Sequence, residues 1–257
     1  MPNSLKITFL GTGTSQGVPV IACKCAVCLS DDARDKRLRT SVMIETQGKV
    51  LVIDSGPDFR QQMLRENVTQ LDGILFTHEH KDHVGGLDDV RAFNYFQQRD
   101  MNVYCNDRVR KSLENEFHYA FADFKYPGVP EIAVIEIENQ PFVAEGISVI
   151  PIEGLHHKLT VQGFRIGDFV YLTDMNYISE TEQEKIKGAK VIVITALRQT
   201  THISHFSMPE SLALLEKWQP ERGYLIHASH QLGAYAEVQA ILPPNITLAY
   251  DGLKIVV

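Results

Sequence analysis

The chain has 257 residues, 44% of them hydrophobic and 22% charged, an ordinary balance for a soluble globular protein and enough length for one large domain or two small ones. Its formal net charge of −7 works against a phosphate backbone, so nucleic-acid binding would need a local basic patch and is not expected. No apolar run is long enough to span a bilayer, and the opening MPNSLKITFLGTG lacks the apolar core and cleavage site of a signal peptide, so a cytoplasmic protein with no membrane partner is expected.

In chain order, residues 5–10 (LKITFL) predict a strand leading into a Gly-rich loop, LGTGTSQGVP. Gly11, Gly13 and Gly17 are spaced G-x-G-x-x-x-G and a hairpin follows, so the loop fails as a dinucleotide fingerprint. Next comes CKCAVC. Three cysteines, Cys23, Cys25 and Cys28, are one ligand short of a closed zinc site. A disulfide is unusual in the cytosol, and a Cys25–Cys28 redox pair lacks a thioredoxin-like context. Arg37 and Arg39 follow; they read as surface arginines, with a terminal phosphate as the alternative use. Residues 41–45 and 50–53 predict a hairpin about Gln47-Gly48, and a helix is expected over 57–67. Residues 74–77 predict a strand. The aromatic-rich segment 91–140 has weak strand signals and reads as helices packed on the core with a partial lid role; Cys105 within it reads as a buried thiol.

Further strands are predicted at 147–152, 164–166 and 169–173, with a turn at Gly167-Asp168, then at 191–195, 224–226, 248–250 and 254–257. Ser179-x-x-Glu182 and Ser207-x-x-Glu210 have the form of capping boxes; the second opens a helix with Met208, Leu212, Leu215 and Trp218 on one face. Hairpins early and strand–helix alternation late predict a mixed sheet, or two sheets, covered by helices. With no repeat or linker, residues 1–257 are expected to form one domain.

The strongest chemical signal is FTHEHKDH, where a predicted strand runs into His78, His80, Asp82 and His83. Imidazole and carboxylate suit zinc, manganese or iron. The i, i+2 spacing lets His78 and His80 bind one ion, while Asp82 and His83 turn toward a second. Other predicted strands end alike: EGLHHK carries His156 and His157, FVYLTD ends in Asp174, and GYLIHASH carries His227 and His230. Ligands at several strand ends would converge on one sheet edge. His78, His80 and His156 with Asp82, His83 and His227 supply six ligands, and Asp174 can bridge two divalent ions about 3.5–4 Å apart, an arrangement that activates a hydroxide and clamps phosphoryl oxygens. Asp54, in VLVIDSG, is placed to support a ligand loop by hydrogen bonding.

The H-x-H-x-D-H stretch with Asp54, His156, Asp174 and His227, in that order, resembles the metallo-β-lactamase superfamily, and LGTGTSQGVP resembles its phosphodiesterase branch, which includes tRNase Z and the cyclic-phosphate phosphodiesterase of phosphonate breakdown. The resemblance implies an α/β (α+β) fold, an αββα sandwich with a dinuclear site at one edge, holding manganese or zinc, or iron. It implies His156 rather than His157 as the ligand, because HHKLT matches the branch's HSKLT. C-x-C-x-x-C resembles the phosphonate-pathway enzyme in particular, which implies a structural zinc on Cys23, Cys25, Cys28 and His230. It places the general acid at His205, with His202 as its neighbour; Asp82 is counted as catalytic as well as a ligand. The implied substrate is a small phosphodiester such as a phosphoribosyl 1,2-cyclic phosphate. The alternatives are tRNA 3′-processing, which in that family uses a long basic arm not matched here, and hydrolysis of another ester or a thioester. Homodimers are frequent in the family, which makes one an expectation by resemblance.

Overall fold

The computed structural model describes residues 4–257. Fourteen strands fall into two seven-stranded sheets among these residues. The first sheet holds β1 (Lys6–Gly11), β2 (Ser41–Thr46), β3 (Lys49–Ile53), β4 (Gly73–Leu75), β5 (Met101–Cys105) and β6 (Ile132–Glu136). The second is built from β7 (Phe142–Ala144), β8 (Ile147–His156), β9 (Leu159–Ile166), β10 (Phe169–Leu172), β11 (Val191–Thr195), β12 (Arg222–Ile226) and β13 (Ile246–Leu248). The last strand, β14 (Lys254–Val256), returns to pair with β1, giving the orders β14-β1-β2-β3-β4-β5-β6 and β13-β12-β11-β10-β9-β8-β7.

Alternation along the strands sorts the apolar residues into layers. Phe9, Leu51, Ile53, Tyr171, Val193 and Ile226 point between the sheets into a shared core. Their neighbours Leu10 and Val52 face helices on one outer side, and Ile192, Ile194 and Leu225 face helices on the other. Both faces of each sheet are therefore covered, which is the αββα sandwich. The helix Met208–Trp218 opens with the Ser207–Glu210 capping box and lays Met208, Leu212, Leu215 and Trp218 on the outer cluster. The β2–β3 turn sits at Gln47-Gly48, both with positive φ as a two-residue hairpin requires, and β9–β10 turns at Gly167-Asp168.

Three expectations need correction. The 91–140 segment contains β5 and β6 as well as helices, including Asp107–Glu116; Val103, Tyr104 and Cys105 are buried on both faces, so β5 carries no alternation to reveal it. The last parallel strand is Ile246–Leu248, two residues earlier than expected. Arg37 is no surface residue: it is 5% exposed, and its Nη1 donates to Thr12 Oγ1 at 2.8 Å and to the Ala249 carbonyl at 2.5 Å, tying the first loop to the C-terminal end. Arg39 pairs with Asp58 at 2.8 Å. No helix among the described residues is long and apolar enough to cross a membrane.

β3–β4–β5–β6 run parallel, as do β10–β11–β12–β13, so many strand ends of like direction line one edge. There the chain leaving β3 meets the loop after β4 backbone to backbone. A Cβ on Gly56 would stand 2.0 Å from the Asp82 carbonyl oxygen, and one on Gly86 2.1 Å from the Gly56 carbonyl oxygen. Gly56→Ala should therefore force this pair of loops apart, at a cost of about 1–3 kcal/mol, and weaken metal binding by displacing Asp82. Thermal denaturation and metal titration of the same samples check this; wild-type values for both would contradict the packing argument.

Candidate metal centre

Each residue of the histidine–carboxylate set lies at or just past the end of a strand. Asp54 follows β3, His78 to His83 follow β4, His156 ends β8, Asp174 follows β10 and His227 follows β12. Asp54, Asp174 and His227 all have φ between +55 and +64, the left-handed region that residues other than glycine seldom adopt. Such conformations persist only where the surroundings over-determine them, and they gather at functional sites.

The cluster forms two lobes sharing Asp174. In one, His83 Nε2 lies 3.2 Å from Asp82 Oδ2 and 3.3 Å from Asp174 Oδ2, and His227 Nε2 lies 3.0 Å from Asp174 Oδ1. In the other, the rings of His78, His80 and His156 have centroids 4.6–5.7 Å apart, and His78 Nε2 lies 3.7 Å from Asp174 Oδ2. His205 stands between the lobes, its Nε2 3.5 Å from Asp174 Oδ2. It shares a ligand-sized sphere with His156 and Asp174. His157, by contrast, is exposed, and its backbone N–H donates to Asn176 Oδ1; the structure brings His156, not His157, to the cluster.

A second set of contacts aims the rings. His83 Nδ1 meets Asp54 Oδ2 at 2.7 Å, while Asp54 also accepts from the Thr77 N–H and hydroxyl. Thr77 Oγ1 is 3.0 Å from His78 Nδ1, and His156 Nδ1 donates to the Ser204 carbonyl at 2.8 Å. Asp174 is held by Thr173 Oγ1 and by its own N–H donating to Thr195 Oγ1. Thr77, Ser204 and Thr195 do not stand out in the sequence, where a lone Ser or Thr beside a ligand gives no signal.

These contacts test whether the residues suit metal ions. The Nε2 atoms of His78, His83 and His227 are buried and lack a hydrogen-bond partner, although carboxylate oxygens stand 3.0–3.7 Å away. Nitrogens and oxygens that converge without hydrogen-bond geometry fit a shared cation. Electrostatics agree. Burial opposes charge on His83, yet Asp82, Asp174 and Asp54 outweigh it and hold its pKa well above the usual imidazole value. Burial likewise opposes charge on His227, but Asp174 and Asp82 lift it to about 9. His78, buried beside the cationic His83, is pushed well down, and burial lowers His156 to about 4. Burial also lowers His205, with Asp174 partly offsetting it. The carboxylates thus call for positive charge at the centre of the cluster, where cations fit.

The three clustered cysteines converge on His230, the residue that the family resemblance pairs with them. Cys23, Cys25 and Cys28 place their Sγ atoms 3.2, 3.4 and 3.5 Å from His230 Nδ1. Tetrahedral zinc with its usual bond lengths separates sulfur from nitrogen by about 3.6 Å, so this S3N set has the size of a closed zinc site. The Cys28 N–H pulls the Cys25 thiol down to about 6, and burial pushes Cys28 up to about 11. Cys105 is remote in role: it is buried, and burial raises its thiol to about 12. His118 is exposed.

Residues 49–228 match the profile of the Beta-lactamase superfamily domain. The chain belongs to the metallo-β-lactamase superfamily. A crystal structure described as a new diphosphatase from the PhnP family is 36% identical with a TM-score of 0.93, the match covering 99% of this chain and 97% of that one, which places the chain in that branch of the superfamily. A Porphyromonas gingivalis protein named octanoyltransferase is 39% identical over 256 residues, 98% of this chain and 52% of that protein. A ribonuclease Z of Methanococcus maripaludis is 26% identical over 140 residues, 53% of this chain and 39% of that protein. The chain spans about half the length, or less, of these two curated relatives. The relatives named as a diphosphatase and a ribonuclease are hydrolases, and the donor cluster here has the composition and burial to hold divalent metal ions.

Asp54 is an acceptor at every contact, so an amide in its place would turn an N–H toward His83 or Thr77. Asp54→Asn should keep the fold and weaken metal affinity about 10–100-fold, as measured by competition with a chelator. Wild-type affinity would mean that Asp54 does not orient His83.

Proposed function

We propose that this protein is a metal-dependent hydrolase, a phosphodiesterase acting on a small phosphodiester, cyclic phosphates such as a phosphoribosyl 1,2-cyclic phosphate among them. His78, His80, His156 and Asp174 hold one divalent cation; Asp82, His83, His227 and Asp174 hold the other; manganese, zinc or iron suits this nitrogen–oxygen set. Cys23, Cys25, Cys28 and His230 hold a structural zinc. Two cations at the histidine–carboxylate cluster supply Lewis-acid polarisation of a phosphoryl oxygen and a water of near-neutral pKa.

The observation that carries the reading is the place of His205. It touches the ligand carboxylate of Asp174, lines a cleft of ≈ 280 Å³, and has His202 Nδ1 3.2 Å from its own Nδ1. A phosphodiester needs a proton on its leaving oxygen, and an imidazole at the mouth of the cluster is suited to give it. Asp82, on the opposite lobe, completes the catalytic set by fixing the cation beside His83 and His227. A diphosphate linkage is the second reading, favoured by the 36% identical PhnP-family diphosphatase; it uses the same residues on a phosphoanhydride. The octanoyltransferase name belongs to a protein of which this chain matches 52%, and thioester hydrolysis serves as the contrasting outcome in the assay.

The first test is turnover of matched phosphodiester, diphosphate, phosphomonoester and octanoyl thioester substrates by metal-loaded protein. Cleavage of the diester or diphosphate without the monoester is expected; cleavage of the thioester alone would overturn the reading. His205→Ala should lower turnover of an alkyl diester by about 10²–10⁴-fold and that of a p-nitrophenyl diester far less, since p-nitrophenolate leaves without a proton. Equal losses on both would assign His205 to the metal sphere instead. Cys25→Ser should remove one zinc per chain and lower the Tm, because metal binding is coupled to folding; an unchanged zinc content would remove the structural site.

A further inference from the structure

Residues 19–29, the loop that carries CKCAVC, hold on to the fold by very little. Up to Val18 the chain is anchored: Val18 and Arg37 exchange both backbone hydrogen bonds, at 2.8 and 2.7 Å, and the Thr14 N–H donates to the Ala228 carbonyl. Beyond Val18 the bonds turn inward. The Cys23 N–H donates to the Val20 carbonyl, that of Leu29 to the Cys25 carbonyl, and that of Val20 to Cys28 Sγ at 3.4 Å. Apart from the turn bond of Ser30 to the Val27 carbonyl and a 3.5 Å contact of Lys36 Nζ with the Cys28 carbonyl, the loop's hydrogen-bonding contacts with the rest of the described chain run through its three sulfurs to His230. Apolar packing offers no substitute: Cys28 is the one buried residue of the segment, and Ile21 and Leu29 are 94% and 65% exposed. Ala22, beside Cys23, takes φ +64, a backbone conformation that persists only where its surroundings impose it. A segment with so few contacts has low local stability, and its order depends on the cysteine–histidine set.

The same set is within reach of small oxidants. Cys23 and Cys25 are half-buried, with Cys28 buried behind them. The sulfurs and the His230 nitrogen all lie within 4.8 Å of one another. Cys25 caps the short helix Ala26–Leu29 and Cys28 lies within it, its N–H donating to Cys25 Sγ at 3.5 Å. Two cysteines one helical turn apart can close a disulfide with a small movement of the backbone. Cys23 and Cys25, with one residue between them, would close a tighter and more strained ring.

We propose that the cysteine–histidine set is a peroxide-sensitive latch on the cleft that His205 faces: oxidation of Cys25 and Cys28 to a disulfide releases the zinc and frees residues 19–29. The latch rests on the structural zinc proposed above and is independent of which ester the cluster cleaves. The Cys25 thiolate attacks one oxygen of hydrogen peroxide, the O–O bond breaks, hydroxide leaves, and the sulfur becomes a sulfenic acid. The Cys28 thiolate then attacks that sulfur, the S–O bond breaks, and a second hydroxide leaves. Two electrons pass from the sulfurs to the peroxide; two thiolates, one hydrogen peroxide and two protons give one disulfide and two waters. Only Cys23 and His230 then remain, too few to keep a zinc bound. Cys28 Sγ also turns away from the Val20 N–H, and both Val20 and His230 line the cleft, so the wall beside His205 loosens. The histidine–carboxylate cluster stands on other strand ends and stays in place. A dithiol supplies the two electrons for the reverse step. This is loss and recovery of a metal site, distinct from the thiol-exchange catalysis for which the sequence has no thioredoxin-like context.

Treatment of the metal-loaded full chain with hydrogen peroxide tests this, with zinc, thiols and backbone hydrogen exchange read on one sample. The expected result is release of one zinc and loss of two titratable thiols per chain. Peptide mapping should find a Cys25–Cys28 disulfide, two hydrogens lighter than the reduced pair. Exchange should quicken across 14–29 and stay unchanged across 76–83, and dithiothreitol with zinc should restore all three readings. Cys105→Ser should respond as the wild type does. Cys25→His, which keeps four zinc-ligating side chains and removes the attacking sulfur, should hold its zinc through the same treatment; should that variant fail to load zinc, the wild-type peptide map and exchange still decide. Zinc and thiols unmoved by peroxide, oxidation that ends in sulfinic acid and is not reversed, or a disulfide without faster exchange across 14–29 each overturns the latch and leaves the structural zinc standing. Absence of zinc from the cysteines before any treatment overturns the structural-zinc reading, and the latch with it.

Discussion

The burial of Asp54 and Asp174 is the constraint on which the rest of the site depends. Neither side chain is more than 3% exposed, and an unpaired buried carboxylate costs several kcal/mol. Each must therefore be met by donors or cations fixed in advance. Asp54 is met by Thr77 and His83. Asp174 is met by imidazoles from three different segments of the chain, and its two oxygens face both lobes of the cluster. The left-handed backbone at Asp54, Asp174 and His227 aims these groups at a common point, and costs of order 1–3 kcal/mol each. Two sheets packed face to face over Phe9, Ile53, Phe164 and Tyr171 can carry that cost, since the site sits on strand ends and not on free loops.

Which residues the sequence reveals follows from how their signals arise. FTHEHKDH is legible because a surface turn has no need of three histidines and an aspartate in six residues. Asp174 and His227 are legible because each follows an apolar run of strand length. The alternating strands on the core are legible for the same reason, as are the helix caps at Ser179 and Ser207, where a side chain three residues on announces the turn. β5 is hidden because burial on both faces removes alternation. Arg37 reads wrongly as a surface residue because nothing local marks a guanidinium that is satisfied by Thr12 and by a carbonyl more than 200 residues away. The choice between His156 and His157 is equally invisible to spacing; it is made by a hairpin register that turns one ring to the Ser204 carbonyl and the other to solvent.

The cysteine–histidine set gains its meaning from where it stands. A chain of this size has core enough without a metal staple, as the three apolar clusters show. Small zinc domains differ, since they fold only around their ion. Here the set fixes a loop instead. Residues 14–20 lead into the cysteines, and Gly13 bridges to Ala228 between His227 and His230. The same loop supplies Thr14, Ser15, Gln16 and Val20 to the cleft that His205 faces, and His230 itself lines that cleft. Only Ala228 and Ser229 therefore separate a proposed ligand of the catalytic cluster from a proposed ligand of the structural zinc. The wall against which a leaving group would depart hangs on the second. Local order in that wall is worth more to a hydrolase than added global stability, because a proton donor helps only when the leaving oxygen is held within hydrogen-bond reach.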